Sequence, residues 1–364
     1  MVKLTEEQQA AADAAIDAIQ GGQDEFAIGG LAGTGKTTTA EYIVKMLRSK
    51  VLAPTGKAVD ALKTKGVRNA MTIHSFVYRF MGTTRGDDGR SVPIFEDRDS
   101  PLEESKSLVI DEASMVSADM ARDIRQFEIP TIWIGDHGQL APVGADPRIM
   151  ENADVRLETI HRQAAENPIV RLAHAVRSGA DFHRLVCDDD RVLFRSRYGL
   201  DAIVRECMDR NVDQLLCGFN NMRKNLNEKF RSTLGHKGSL CAGEKIICLL
   251  NSRSLGIFNG MVFYVLTVKD DGKPNIPATV QSQDGRVIDV VLYRPVLGRG
   301  VMFDDPAPDG VLSFDYAYCI TVHKSQGSEW KSVALIDQQC NYWSAERWRY
   351  TGITRAKEQL IVYR

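Results

Sequence analysis

The sequence predicts an α/β protein built on helix-covered parallel sheets with a small β-barrel set into its second half, and three observations predict it. Short apolar runs alternate with stretches of helical spacing through roughly the first 150 residues, the rhythm that strand, crossover helix and parallel strand impose. The same rhythm resumes beyond residue 157 and returns in the last strands of the chain. Between these parts, residues 243–312 are rich in Val, Ile, Tyr and Gly, with turns at Asp270-Asp271-Gly272 and Asp284-Gly285, a composition suited to short antiparallel strands closing on themselves.

In chain order, the strand candidates of the first half are residues 26–28, 51–53, 108–110 and 131–134. Residues 38–47 carry apolar side chains at helical spacing. The rhythm breaks over residues 78–107, where TTRGDDGRSVPIFEDR is polar and turns at Asp87-Asp88-Gly89; this predicts an inserted β-hairpin. Further on, NPIVRLAHAV at 167–176 reads as a helix, 212–217 as a strand, 223–234 as a helix, and 333–336 and 359–362 as late strands. No internal repeat or low-complexity tract is present.

At 364 residues the chain can hold two domains plus an insertion. A 43% hydrophobic and 26% charged composition belongs to an ordinary globular protein rather than a disordered one. The longest apolar runs, 261–268 and 360–362, are too short to span a bilayer, and residues 1–15 are acidic and polar, so the expectation is a cytoplasmic protein with no membrane association. Seven cysteines form no C-x-x-C pair, which supports neither a disulfide framework nor a zinc site. A net charge of −2 argues against indiscriminate adhesion to nucleic acid and leaves room for a local basic groove.

The strongest motif is IGGLAGTGKTTT at 28–39, in which Gly30, Gly35, Lys36 and Thr37 satisfy G-x-x-x-x-G-K-[ST] between a strand candidate and a helix candidate. Glycines let the backbone curl so that successive N–H groups face a phosphate. Lys36 then neutralises the β/γ oxygens and Thr37 offers its hydroxyl to Mg²⁺. The chain is therefore expected to bind a nucleoside triphosphate.

Two further constellations follow apolar strands. In Leu108-Val-Ile-Asp-Glu-Ala-Ser-Met115, Asp111 is placed to hold Mg²⁺ through water and Glu112 to polarise an attacking water, although paired acids also decorate ordinary helix N-termini. Residues 132–143 repeat the arrangement, with Gly135-Asp136 closing a strand and Gln139 in the loop that a parallel sheet turns toward its ligand. His137 reads as a plain loop residue. Arg162 and Arg355 lie beyond the first half, where a guanidinium supplied across a cleft would stabilise a transferring phosphoryl group; a solvated surface residue is the commoner case, and pattern alone lifts neither above it.

Ten strings occur in series: LTEEQ (4–8), GLAGTGKTT, LAPTGKAVDAL (52–62), TIHSF (72–76), VIDEASM, IGDHGQLAPV, HRQ, GIFNG (256–260), ITVHKSQGSEW (320–330) and YTGITRAK (350–357). Together they resemble the superfamily 1 DNA helicases of the RecD and Dda branch, over nearly the whole chain. The resemblance implies tandem RecA-like domains at 1–155 and 156–364, the hairpin of the first serving as a strand-separating pin and the barrel of the second being Src-homology-3-like. ATP and Mg²⁺ would occupy the cleft, with single-stranded or tailed duplex DNA across the tops.

Carried over by residue, Gln8 would read adenine, and Gly30, Gly33, Thr34, Gly35, Lys36, Thr37 and Thr38 would hold the phosphates and, through Thr37, the metal. Asp111 would take the metal role, Glu112 that of the base and Gln139 that of the sensor, with Arg162 and Arg355 as fingers. Gly327 and Glu329 would meet the nucleotide from the second domain. Pro54, Thr55, His74, His323 and Lys324 would line the DNA path. A 5′-to-3′ monomer working with replication or recombination proteins is implied.

Two features depart from that pattern. The chain is shorter than most members of the branch, with no long RecD-type N-terminal domain, which points to a compact Dda-like member. The hairpin tip is acidic (Asp87, Asp88) and lacks an aromatic, so Phe80 and Phe95 are left as wedge candidates, or as simple packing. Alternatives therefore stay open: a translocase or nuclease-associated motor with little unwinding, or a nucleotide-gated DNA clamp. A metabolic kinase would leave two cleft arginines without a purpose.

Overall fold

The computed structural model describes residues 4–364 except 65, 86–90, 99–104, 143, 161–165, 197–198, 253–254, 300–306 and 309. The first half opens with α1 (Glu6–Gln20), started by a capping box in which Thr5 and Gln8 exchange side-chain and backbone bonds. Six strands follow in one parallel sheet: β1 (Glu25–Gly30), β2 (Lys50–Ala53), β3 (Ala70–Thr72), β6 (Leu108–Ile110), β7 (Thr131–Gly135) and β8 (Val155–Leu157). Their order is β3-β2-β6-β7-β1-β8, and every neighbouring pair is parallel.

The sheet is apolar on both faces, as strands covered by helices must be. Leu108 and Ile110 face a cluster with Phe76 and Trp133, whereas Val109 faces the other side with Ile28, Ile43 and Ile134. The helices of this half are α2 (Lys36–Leu47), α3 (Gly56–Thr64), α4 (Ile73–Val77) and α5 (Ala118–Arg125). Two strands, β3 and β8, have no counterpart among the expected ones: three residues each is too short for a periodic signal. Because β8 ends at Leu157, the first sheet runs two residues past the expected boundary at 155.

The hairpin consists of β4 (Tyr78–Arg85) and β5 (Ser91–Asp97), antiparallel, with a register shift between Phe80 and Gly82. Phe80 and Phe95 are register partners across it. The acidic tip with Asp87 and Asp88 lies outside the described residues. Its base is tied to the sheet by the Tyr78 hydroxyl, which donates to Asp123 on α5.

The second half begins with α6 (Pro168–Arg177), β9 (Val192–Arg195), α7 (Leu200–Asp209), β10 (Gln214–Cys217) and α8 (Asn220–Thr233). An antiparallel insertion follows, made of β11 (Lys245–Cys248), β12 (Val262–Val268), β13 (Asn275–Ser282), β14 (Val287–Tyr293) and β15 (Phe314–Tyr316) in the order β14-β13-β12-β11-β15. It closes through Leu312, which donates to Val291 O at 2.7 Å and accepts from Tyr293 N–H at 2.9 Å. Since β15 belongs to it, the barrel extends past the expected limit at 312.

The chain then returns through β16 (Cys319–Thr321), β17 (Trp330–Ile336), α9 (Ala345–Ile353) and β18 (Ala356–Tyr363). These complete a second parallel sheet, β16-β10-β17-β18-β9, again buried on both faces. All seven cysteines are free thiols. Among the described residues, no helix is long and apolar enough to cross a membrane.

Candidate nucleotide cleft and DNA groove

The carboxyl end of β1 runs into the phosphate loop, whose curl depends on Gly33 (φ 84°) and Gly35 (φ 82°), both in the left-handed region that side chains disfavour. Gly35 caps α2 without a side-chain bond, leaving the first helical N–H groups facing the loop. Gly30 is needed for space: a Cβ there would fall 2.6 Å from Thr34 Oγ1 and 3.1 Å from Lys36 Cγ. Lys36 Nζ donates to Leu31 O at 2.9 Å and lies 3.5 Å from Asp136 Oδ2. Thr37 and Thr38 fall in the first turn of α2, half-buried.

Gln8 reaches the loop as well, donating from Nε2 to Thr34 O at 3.1 Å while its Oε1 accepts from Thr5 N–H at 3.1 Å. The side chain assigned to adenine thus also ties the start of α1 to the phosphate loop.

Asp111 and Glu112 follow β6, and Glu112 adopts φ 56°, a strained backbone for a non-glycine residue. Burial, then the neighbouring Asp111 charge, pushes the Glu112 carboxyl up to about 7, with Asp136 adding to the effect and Arg355 and Lys36 opposing it. Asp111, Asp136, Arg355 and Lys36 are therefore all close enough to act on Glu112. After β7, the buried Asp136 accepts from Gly138 N–H and Tyr350 Oη, each at 2.9 Å. Gln139 is buried nearby, and its Oε1 has no hydrogen-bond partner among the described residues. His137, expected to be a plain loop residue, packs its Nδ1 beside Gly29, and burial lowers its pKa.

From the second half, Arg355 lies buried and donates to Thr351 O (2.9 Å), Ser328 O (3.1 Å) and Thr354 Oγ1 (3.0 Å). Arg162 lies outside the described residues. Gly327 (φ 69°) faces the start of α3, where a Cβ would sit 3.8 Å from Thr55 Oγ1. Glu329 pairs with Lys357 at 2.8 Å, both well exposed.

Pro54, Thr55, His74, His323 and Lys324 line one cavity of about 250 Å³ that both halves and the barrel loop enclose. Lys324 Nζ donates to Asn259 Oδ1 at 2.5 Å, linking β16's loop to the barrel. Phe258 of the same barrel loop packs onto Gly56, where a Cβ would meet its Cγ at 2.2 Å.

Sequence reasoning missed several neighbours. Lys57 lines this cavity with its Nζ 5.0 Å from the Trp330 ring centroid and without a hydrogen-bond partner among the described residues, and burial followed by the Arg355 charge lowers its pKa to about 8. A second cavity of about 280 Å³ shares Lys324 and adds Asn220, Arg223, Lys224 and Arg299. Lys57 stood inside a quoted motif and was legible there; the other four are gathered only by the docking of α8 against the barrel. Beside His323, the Trp343 ring lies 5.4 Å away, centroid to centroid, with Phe219 behind it.

Two RecA-like units meeting over a phosphate loop define a P-loop protein of the tandem type. The AAA domain family matches residues 3–193, and a UvrD-like helicase C-terminal domain matches 316–363. The chain belongs to the AAA domain family, among the superfamily 1 helicases of the RecD and Dda kind. It is 27% identical to the ATP-dependent RecD2 DNA helicase of Deinococcus radiodurans over 90% of this chain and 45% of that one. It is 28% identical to the ATP-dependent DNA helicase dda of Enterobacteria phage T4 over 48% of this chain and 43% of that one. The chain thus spans less than half the length of either relative. In fold it is similar to Bacteroides Pif1 bound to single-stranded DNA, with a TM-score of 0.60 at 19% identity, covering 100% of this chain and 92% of that one.

The residues fit a magnesium nucleotide. The left-handed glycines shape a backbone cradle, and at Glu112 burial first and then the Asp111 and Asp136 charges raise the carboxyl pKa, so a cation would relieve the negative charge gathered there. No group of three metal-ligating side chains occurs among the described residues.

Proposed function

We propose that this chain is an ATP-dependent DNA helicase that moves 5′ to 3′ along single-stranded DNA and couples hydrolysis to duplex separation. The observation that carries this reading is the adjacency of two sites. A cavity lined by both halves gathers Pro54, Thr55, His74, His323 and Lys324, and beside it Asp111, Arg355, Lys36 and Asp136 all act on the buried Glu112 carboxyl. The polarity rests on the family resemblance.

In this reading the glycine loop and Lys36 orient the phosphates, Thr37 and Asp111 hold Mg²⁺, and Gln8 meets the base. Bound Mg²⁺ would neutralise charge on the β/γ-phosphates. Glu112, ionised, takes a proton from the attacking water. Gln139 orients that water, while Arg162 and Arg355 stabilise charge on the transferring group from across the cleft. Gly327 and Glu329 approach the nucleotide from the second half. DNA is held by its phosphates, with little dependence on sequence.

The test is ATP turnover with and without single-stranded DNA, followed by strand displacement from 5′-tailed and 3′-tailed duplexes. Stimulation by orders of magnitude and displacement from the 5′ tail alone are expected. Turnover indifferent to DNA would overturn the motor. Stimulated turnover without displacement would leave a translocase.

A further inference from the structure

Ala32, in the middle of the phosphate loop, is held at both of its backbone groups by side chains of the second half. Its N–H donates to Tyr350 Oη at 2.6 Å, and its carbonyl oxygen lies 3.1 Å from His174 Nε2. The Tyr350 and His174 rings meet edge-on with centroids 6.4 Å apart. The buried Tyr350 hydroxyl also donates to Asp136 Oδ2 at 2.9 Å, so one oxygen joins the loop, the end of β7 and α9. There is no slack around it: a Cβ on Gly138 would fall 3.0 Å from Tyr350 Cε1.

The same helix end continues the connection. Thr351 Oγ1 accepts from Leu140 N–H at 2.9 Å, next to Gln139, and Arg355 Nε donates to Thr351 O at 2.9 Å. One turn of α9 and the residues just after it are thereby registered against the phosphate loop, the Gln139 loop and the Arg355 guanidinium.

We propose that Tyr350 and His174 are positioning residues that clamp the phosphate loop to the helix end carrying Arg355, and so set the distance over which that guanidinium can reach the transferring phosphoryl group. The proposal rests on the hydrolytic reading above. Neither side chain is assigned a contact with nucleotide; both act through Ala32 and Arg355. Loss of the clamp leaves Lys36 and the glycine cradle in place, so nucleotide still binds, while the alignment needed in the transition state slackens.

Two measurements separate the outcomes. Tyr350→Phe keeps the ring and its packing, removing only the hydroxyl. In nucleotide-free protein it should speed hydrogen exchange in a peptide covering residues 28–37, and His174→Ala should do the same independently. In steady-state kinetics Tyr350→Phe should lower kcat by about tenfold, the scale of one or two buried hydrogen bonds, with the ATP dissociation constant within about twofold of the parent. In an Arg355→Ala background the same substitution should have almost no further effect on kcat, because its route is already cut.

Unchanged exchange in the 28–37 peptide for both variants would overturn the clamp, and full additivity with Arg355→Ala would reduce it to packing. If the parent hydrolyses no ATP, the hydrolytic reading fails on its own, and the exchange experiment still decides whether the loop is held.

Discussion

Glu112 combines a left-handed backbone with a carboxyl pushed up to about 7 by burial and by Asp111. As a base it must be ionised, so kcat/KM for ATP should rise from pH 6 to pH 8 with an apparent midpoint near 7 belonging to the carboxylate cluster as a whole. Stability runs the other way: a carboxyl whose folded pKa is raised binds its proton more tightly when folded, and that contribution is lost as pH climbs through 7. Glu112→Gln should therefore keep ATP bound, abolish DNA-stimulated turnover, and gain melting temperature relative to the parent between pH 5 and pH 8. Near-parental turnover in this variant would refute the base assignment. Lys36→Ala should instead lose ATP affinity, because it removes the charge facing the phosphates. Arg355→Ala should lower turnover by about 10³ with affinity retained, the scale of an arginine finger; a collapse in affinity with turnover preserved at saturation would refute that role.

Among the elements, the hairpin of β4 and β5 stands apart from both parallel sheets and is rooted through Tyr78 to α5. It carries no residue assigned to the nucleotide. Replacing residues 84–97 by a short Gly-Ser turn should abolish unwinding of a 5′-tailed duplex and leave DNA-stimulated hydrolysis largely intact. Unwinding at the parental rate would mean that strand separation happens elsewhere. The barrel has the opposite relation to the cleft: through Phe258 on Gly56 and Asn259 on Lys324 it forms one wall of the groove. Its strands were legible as alternating β-branched residues between Asp-Gly turns, but the Leu312 bridge that closes it was not, because a two-bond closure leaves no periodic trace.

For the molecule as a whole, a net charge of −2 sits beside two contiguous cavities that gather Lys57, Arg223, Lys224, Arg299 and Lys324. Association with single-stranded DNA should therefore weaken steeply with salt and be largely indifferent to base sequence. Lys324 lines both cavities, so Lys324→Ala should flatten the slope of log affinity against log salt by about one contact. A slope unchanged in that variant would remove Lys324 from the track.

The chemistry-bearing strings were legible in the sequence alone. The phosphate loop, the acids after β6 and the Gln139 loop each need particular residues at adjacent positions, so a string of letters suffices to locate them. The alternation of apolar strands and helices likewise settled the fold class, because each strand buried on both faces must be apolar along its length. What meets across the cleft was set by the docking of the two halves: Gly327 on Thr55, Lys57 against Trp330, and Tyr350 with His174 on Ala32. These partners are separated by long stretches of chain, and each contact depends on how two sheets dock. No spacing rule within one strand or helix encodes that docking.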